Sequence, residues 1–326
     1  MELLIHLNMK NNSENDNRFP LVVHSQFEKL GTDIDIRIIV VDDEQKKTAE
    51  KSIQGIKKMY VEFSNIFSRF DCESELSKLN LSVGEFNTAS FHMCEVATIA
   101  LKFNKETNAF FDPRILNVLE KIGYADDFKR GNRKFDGDDN EKFLFFDRNL
   151  AEDLKVDGNK VFFGVKMDFS GIAKGYITDK IVETLVEQKW ENFLVDSGGD
   201  MFAQGVDENN KKWTVSIEGI DENKLMFSLS EKAIATSGIK RRRWEIEGKR
   251  MHHIVNPKNP QQFLFDVKSV SVIADSVVEA DVWAKTIFLM GRESGMLYVK
   301  EHNIAAVIFN YRGTAWISPK AKEFLC

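Results

Sequence analysis

The sequence of 326 residues contains little of what builds disulfide scaffolds, zinc knuckles or membrane spans. Its three cysteines, Cys72, Cys94 and Cys326, lie far apart and form no Cys-x-x-Cys pair. This pattern argues against disulfide and zinc frameworks and favours a reducing compartment. No apolar run approaches the roughly 20 residues of a membrane helix, and the first residues lack the apolar core and cleavage site of a signal peptide. We therefore predict a cytoplasmic location.

An excess of positive charge is also absent. The formal net charge of -6 argues against a nucleic-acid partner, because such partners usually require a basic face. Proline is scarce, with 5 residues, and the apolar fraction of 43% is ordinary, so the chain is globular. We expect a polar, disordered arm over residues 1–20 and one domain over residues 21–326.

Apolar periodicity predicts strands and helices without regular alternation, which favours the α+β class, with mixed or antiparallel sheets and packed helices. A helix over residues 44–70 carries apolar side chains at spacings of three and four. A second helix begins after a cap at Asn87 or Thr88. The remaining predicted helices span residues 173–188 and 276–292. The predicted strands span residues 32–41, 160–169, 212–220, 268–274, 304–309 and 313–318, and residues 192–205 are predicted to form two strands joined by a glycine turn.

The charged stretch over residues 126–143 has the spacing of a calcium loop in part. Asp136, Asp138, Asn140 and Asp147 occupy ligand positions, but Glu141 stands where such a loop needs glycine. We therefore predict a solvated surface loop.

The stretch MDFSGIAKGY, residues 167–176, combines Asp168 at a strand end with Lys174 in the first turn of a helix. Gly171 and Gly175 allow another backbone or a ligand to approach closely. A helix N-terminus offers unpaired N–H groups and positive potential, to which a lysine adds charge. These features suit a phosphate or pyrophosphate. The ordinary alternative is an aspartate in a turn and a lysine at a helix end.

Two further glycine-containing stretches follow. DSGGD, residues 196–200, is typical of a hairpin turn, and its glycines also permit a close ligand. In ATSGIKRRRW, residues 235–244, two hydroxyls precede a cationic run. This stretch is either a solvated loop or a site for anion recognition by arginine.

Adjacent histidines occur in MHHIVNPKNP, residues 251–260. On a strand they point to opposite faces, so they form a poor metal chelate and one of them faces the interior. A histidine with a near-neutral pKa can act as a general base. The alternative is a core histidine bonded to the backbone.

Asp281 and Lys285 share one face of the helix over residues 276–292. If they are exposed, they form an ordinary ion pair. The apolar neighbours leave little of this helix exposed, so a partly buried Asp281 needs either Lys285 or a metal ion as its partner.

The order of these motifs resembles that of the ApbE family, the FAD:protein FMN transferases. The matching segments in chain order are DFSGIAKGY, DSGGD, IATSG, HHIVNP and EADVWAK. Upstream, LGTDIDIRI, FSRFDCESELSKLN and NAFFDPRILNVLEKIGY resemble further family segments. The resemblance covers roughly residues 25–315, nearly the whole chain.

The resemblance implies Mg²⁺-dependent transfer of FMN from FAD to a Ser or Thr hydroxyl of an acceptor flavoprotein, with release of AMP. It implies that His253 is the general base and also lines the FAD site. It also implies that the Gly171 carbonyl and Asp281 hold the metal. The other residues expected to bind FAD are Phe111, Asp112, Asp168, Lys174, Thr236, Ser237 and Gly238.

The chain also departs from the family pattern. Lys285 stands where many members have a threonine metal ligand, and Thr286 lies about 100° further round the helix. The family's acceptor motif has no copy here, so self-modification is not expected. Exported members carry a lipoprotein leader that this sequence lacks, which implies a cytoplasmic variant. Two alternatives stay open, an FAD pyrophosphatase and a non-catalytic flavin-binding protein.

Overall fold

A computed structural model describes residues 20–124, 144–217, 225–240, 242–246 and 248–326. The predicted N-terminal arm, except for Pro20, lies outside the described residues, as does the whole charged loop predicted over residues 126–143. In the described part of the chain, no helix is long and apolar enough to cross a membrane.

Strands and helices are interspersed along the chain, as the α+β prediction requires. The strands are β1 Leu21–Lys29, β2 Thr32–Val40, β3 Phe86–Thr88, β4 Leu154–Asp157, β5 Lys160–Phe163, β6 Phe193–Ser197, β7 Met201–Gln204, β8 Trp213–Ser216, β9 Met226–Leu229, β10 Lys232–Gly238, β11 Arg243–Ile246, β12 Lys249–His252, β13 Val267–Ala274, β14 Ala305–Asn310 and β15 Ala315–Ile317. The helices are α1 Asp43–Phe67, α2 Glu75–Leu81, α3 Phe91–Glu106, α4 Leu116–Lys121, α5 Leu150–Asp153, α6 Ala173–Glu187, α7 Val277–Met290 and α8 Arg292–Glu301.

One large antiparallel sheet organises the fold. Its eight strands lie in the order β1-β2-β6-β7-β10-β13-β14-β15. Every neighbouring pair in it runs antiparallel. Three small sheets, β3-β5-β4, β8-β9 and β11-β12, lie beside it.

Both faces of the large sheet are buried, because helices cover one face and a hairpin covers the other. Alternate residues of β2 pack against α1, α3 and α6 in the main core. The opposite face of the sheet packs against the β8–β9 hairpin. A third cluster joins β13 and β14 to α7 and α8. Burial of two strand faces is consistent with the strongly apolar strand sequences.

Helix α1 confirms the predicted apolar stripe, with Ile53, Ile56, Tyr60 and Phe63 all buried. Its N-cap is Asp42, whose carboxylate accepts a hydrogen bond from Gln45 N at 2.8 Å. The predicted end at residue 70 is wrong, since the helix ends at Phe67.

Other predicted boundaries are also corrected. The cap of α3 is Ser90, because residues 86–88 instead pair with β5 as strand β3. The strand predicted over residues 160–169 ends at Phe163. Helix α8 was not predicted.

Gly175 allows α6 and α7 to approach each other closely. A Cβ atom on Gly175 would lie 2.8 Å from Val278 Cα and 2.9 Å from Val278 N. The expectation that this glycine admits another backbone is confirmed, and that backbone belongs to α7. The contact places the start of α6 beside the helix that carries Asp281 and Lys285.

Candidate functional site

A cleft of about 410 Å³ brings the predicted site residues together. Its volume lies within the range of small-molecule sites. The predicted residues that line it are Phe111, Asp112, Asp168, Gly171, Lys174, Thr236, Ser237, Gly238, His253, Asp281 and Lys285. They come from segments more than 170 positions apart in the chain. The fold therefore unites motifs that the sequence presents separately.

Asp168 is held in place by its own surroundings. Its Oδ1 accepts a hydrogen bond from Ser170 N at 2.6 Å, and its own N–H donates to Pro113 O at 2.7 Å. Arg69 Nε lies 3.2 Å from Asp168 Oδ2, with both side chains almost fully buried. The guanidinium of Arg69 also lies over the ring of Tyr124. The Asp168 carboxylate thus fixes the turn that precedes α6.

Lys174 lies in the first turn of α6 and forms an ion pair with Asp200. Burial lowers the pKa of the Lys174 ammonium, but the Asp200 and Asp281 carboxylates outweigh this effect, so its pKa is raised. Lys174 therefore stays cationic at neutral pH. No side chain caps the helix, because its N-cap is Ile172. The cleft thus faces a helix N-terminus reinforced by a lysine, which is a favourable environment for an anion.

Phe111 and Asp112 line the cleft beside the turn that precedes α6. Asp112 is buried, and Arg114 donates to it from Nη2 at 2.7 Å and from Nε at 3.0 Å. Arg114 also donates to Asp153 at 2.8 Å. The Asp112 carboxylate is thereby committed to a buried ion network, while Phe111 contributes apolar surface to the cleft.

The stretch over residues 235–244 was predicted to be a loop or an anion site. A loop is wrong for residues 236–238, because they are the last residues of β10. The Thr236 hydroxyl lies 2.7 Å from the Ser271 hydroxyl on the neighbouring strand. A Cβ atom on Gly238 would lie 2.9 Å from Ser269 Cβ, so only glycine fits here without a shift. The end of β10 thus presents a flat, polar segment to the cleft.

The two adjacent histidines have different environments. His252 is 1% exposed, and its Nε2 lies 3.1 Å from Leu264 O. It is surrounded by aromatic rings, including that of Phe288. This is the core histidine of the two, as the strand alternation predicted.

His253 instead lines the cleft. Its Nδ1 lies 3.2 Å from Arg242 O, and a carbonyl can only accept, so Nδ1 carries the proton and Nε2 does not. Burial, followed by the charges of Arg242 and Lys285, holds the pKa of His253 well below its ordinary value. At neutral pH this imidazole is therefore uncharged and can accept a proton at Nε2.

Asp281 and Lys285 interact within the cleft. Lys285 Nζ donates to Asp281 Oδ1 at 2.6 Å and to Gly171 O at 2.9 Å. Asp281 Oδ2 is buried and has no hydrogen-bond partner among the described residues. Thr286, one position further, is fully buried and is not among the residues that line the cleft. The lysine therefore bridges the two oxygens that the resemblance assigns to a metal.

Several residues of this region were not singled out from the sequence. Arg69 supports Asp168, Asp200 holds Lys174, and the Arg242 carbonyl orients His253. Gly31 in the β1–β2 turn and Thr32, the first residue of β2, also line the cleft. In the sequence, Arg69, Asp200 and Arg242 are marked only by their segments, which are FSRFDCESELSKLN, DSGGD and ATSGIKRRRW.

Comparison with known proteins gives consistent matches. The model of the ApbE family matches residues 30–309. The FAD:protein FMN transferase of Vibrio cholerae serotype O1 is 26% identical over 296 residues, covering 88% of this chain and 86% of that protein. The FAD:protein FMN transferase of Haemophilus influenzae is 24% identical over 290 residues, covering 85% of this chain and 83% of that protein.

Solved structures show the same fold. The flavin transferase ApbE from Vibrio cholerae superposes with a TM-score of 0.78 at 23% identity, over 94% of this chain and 100% of that chain. The ApbE protein from Thermotoga maritima gives a TM-score of 0.79 at 24% identity, over 93% of this chain and 99% of that chain. Because the family model matches most of its length, the chain belongs to the ApbE family.

Proposed function

We propose that this protein transfers FMN from FAD to a serine or threonine hydroxyl of an acceptor flavoprotein and releases AMP. The observation that carries the proposal is the convergence of every predicted site residue on one cleft. Family membership and the names of the relatives support the choice of FAD as substrate. We further propose that residues 21–326 form the transferase domain.

The start of α6 is the proposed pyrophosphate site. Lys174 stays cationic beside Asp200, and the uncapped helix N-terminus adds positive potential. Both features stabilise the negative charge that develops on the transferred phosphoryl group. Phe111 and the end of β10 supply apolar and polar surface for the flavin.

His253 is the proposed general base. A hydroxyl is a weak nucleophile until a base accepts its proton. The Nε2 atom of His253 is unprotonated because Nδ1–H donates to the Arg242 carbonyl. In the proposed step, the acceptor oxygen attacks the phosphorus of the FMN half and the bond to the AMP oxygen breaks. The hydroxyl proton moves to Nε2, so charge and atoms balance.

A metal ion does not fit the predicted ligands as they lie. The resemblance predicts Mg²⁺ held by Gly171 O and Asp281, and this stays a prediction. In the structure both residues bond the ammonium of Lys285. No group of three or more His, Cys, Asp or Glu side chains suited to a metal occurs among the described residues. In the proposed transfer, the charge on the pyrophosphate is therefore balanced by groups of this chain, among them Lys174.

Product analysis tests the proposal. The protein is incubated with FAD and Mg²⁺, with and without a candidate acceptor domain, and FMN on the acceptor is measured by mass spectrometry together with free AMP. We expect the adduct and AMP in equal amounts. AMP without the adduct would instead identify a pyrophosphatase. FAD binding with neither product would identify a non-catalytic flavin-binding protein.

A histidine variant tests the assignment of the base. His253→Ala should abolish transfer while FAD still binds, because the imidazole acts on the acceptor hydroxyl. The matched control is His302→Ala, which removes an exposed histidine directly after α8 that does not line the cleft. Loss of FAD binding in His253→Ala alone would contradict the assignment and indicate a structural histidine.

A further inference from the structure

Lys285 places an ammonium between the two groups that the family resemblance assigns to a metal ion. Its Nζ lies 2.6 Å from Asp281 Oδ1 and 2.9 Å from Gly171 O. Gly171 precedes α6 and Asp281 belongs to α7. The lysine therefore connects two elements of the cleft, as a bridging ion would.

The contact between Lys285 and Asp281 balances a negative charge that is buried in the cleft. The side chains of Lys285 and Asp281 are 21% and 4% exposed. A buried carboxylate requires a cation close by. Asp200 has its own partner in Lys174, and Lys174 also interacts electrostatically with Asp281. Two carboxylates thus face two ammonium groups, and their formal charges cancel without any added ion.

A divalent ion at the same place would conflict with the lysine. Mg²⁺ binds oxygen at about 2.0–2.1 Å and demands near-octahedral geometry. An ion bonded to both Gly171 O and Asp281 Oδ1 would occupy the space of Lys285 Nζ. It would also bring two like charges together at short range, which is costly where water is excluded.

We propose that the ammonium of Lys285 replaces the divalent ion, so that this chain binds FAD without a metal. The inference rests on the proposed function, in which the pyrophosphate of FAD lies against the start of α6. Lys285 is then a binding residue that faces the pyrophosphate together with Lys174. A chelator should leave this interaction unchanged.

The wild-type protein alone decides the first part of the test. FAD is titrated in EDTA and in Mg²⁺ and followed by flavin fluorescence. We expect the two dissociation constants to agree within about twofold, a difference of less than half a kcal/mol. A loss of affinity in EDTA of more than about tenfold would overturn the proposal. Titration of the FAD-free protein with Mn²⁺ should show no saturable site by calorimetry.

Substitution of the lysine provides the second part. Lys285→Thr leaves the carboxylate unbalanced and adds a hydroxyl ligand, so it should acquire Mn²⁺ binding at least about tenfold tighter than wild type. The double variant Asp281→Asn with Lys285→Thr should lose this site. Lys102→Thr is the control, because Lys102 is an exposed helical lysine with its own acidic partner, Glu106. Stoichiometric Mn²⁺ binding by the wild type that Asp281→Asn removes would also overturn the assignment.

The two proposals fail in different ways. If the protein binds no FAD with or without Mg²⁺, the proposed function is wrong. The Mn²⁺ titrations of the FAD-free variants still decide what Lys285 does. Unfolding by urea, measured in parallel, shows whether Lys285→Thr is folded, and the wild-type comparison stands even if it is not.

Discussion

Asn80 forms a reciprocal pair of hydrogen bonds with the backbone of Met167. Its Nδ2 donates to Met167 O and its Oδ1 accepts from Met167 N, both at 2.8 Å. Asn80 closes the family-like segment that ends in Leu-Asn, and Met167 immediately precedes Asp168. Two motifs that are far apart in the chain are therefore one structural unit beside the cleft.

Removing this amide should destabilise both the fold and the site. In Asn80→Ala two buried backbone groups lose their partners, so we expect a loss of about 2–4 kcal/mol in the free energy of unfolding. Asn87→Ala is the control, because its amide makes longer contacts, at 3.2 and 3.3 Å, in a more exposed region. Urea unfolding measures both variants, and equal losses would contradict the prediction.

The contact between α6 and α7 predicts opposite effects of one substitution at two glycines. Gly175→Ala pushes a methyl group against the backbone of Val278. This should lower the free energy of unfolding by about 1–3 kcal/mol. Gly55→Ala lies within α1 with nothing within 4 Å of the new atom. It should stabilise the protein by about 0.5–1 kcal/mol, since alanine favours a helix. Denaturation midpoints that move in the same direction would refute the packing argument.

The ion pair between Lys174 and Asp200 allows stability and binding to be separated. Lys174→Met leaves Asp200, which is 1% exposed, without its partner. We expect the free energy of unfolding to fall by about 3 kcal/mol. Adding Asp200→Asn removes the unpaired charge, so most of this stability should return. FAD binding should stay impaired in the double variant, because the ammonium is still missing. Recovery of binding together with stability would mean that Lys174 has only a structural role.

The buried His252 predicts acid sensitivity. Burial lowers the pKa of His252 from 6.5 to about 4. The unfolded chain therefore binds a proton before the folded chain does, and stability is lost as the pH falls from 6.5 through 4. The loss attributable to this group is about 3 kcal/mol between pH 7.5 and pH 4. His252→Gln should show a correspondingly smaller pH dependence in urea unfolding, and an unchanged dependence would contradict the assignment.

Features set by near neighbours in the chain could be predicted from the sequence. The apolar stripe of α1, the helix that begins after Ser276 and the strands on either side of DSGGD all occur as expected. So does the alternation that separates His252 from His253. Each depends on periodicity or capping within a few positions.

Features set by distant partners could not be predicted. Residues 86–88 form a strand only because β5 lies alongside, and this pairing moves the start of α3 to Ser90. Arg69 has no local feature that marks it as the partner of Asp168, although its Nε lies 3.2 Å from Asp168 Oδ2. The bridge from Lys285 to Gly171 likewise requires knowledge of how α7 lies against the start of α6.

The bridge formed by Lys285 also determines what controls the geometry of the cleft. A bound ion obeys mass action, so its occupancy follows the free ion concentration and disappears in a chelator. Lys285 belongs to the same chain as its partners, Gly171 and Asp281, and its effective concentration beside them is fixed by the fold. Under the assignment made for Lys285, the spacing between the start of α6 and α7 is independent of the supply of divalent cations.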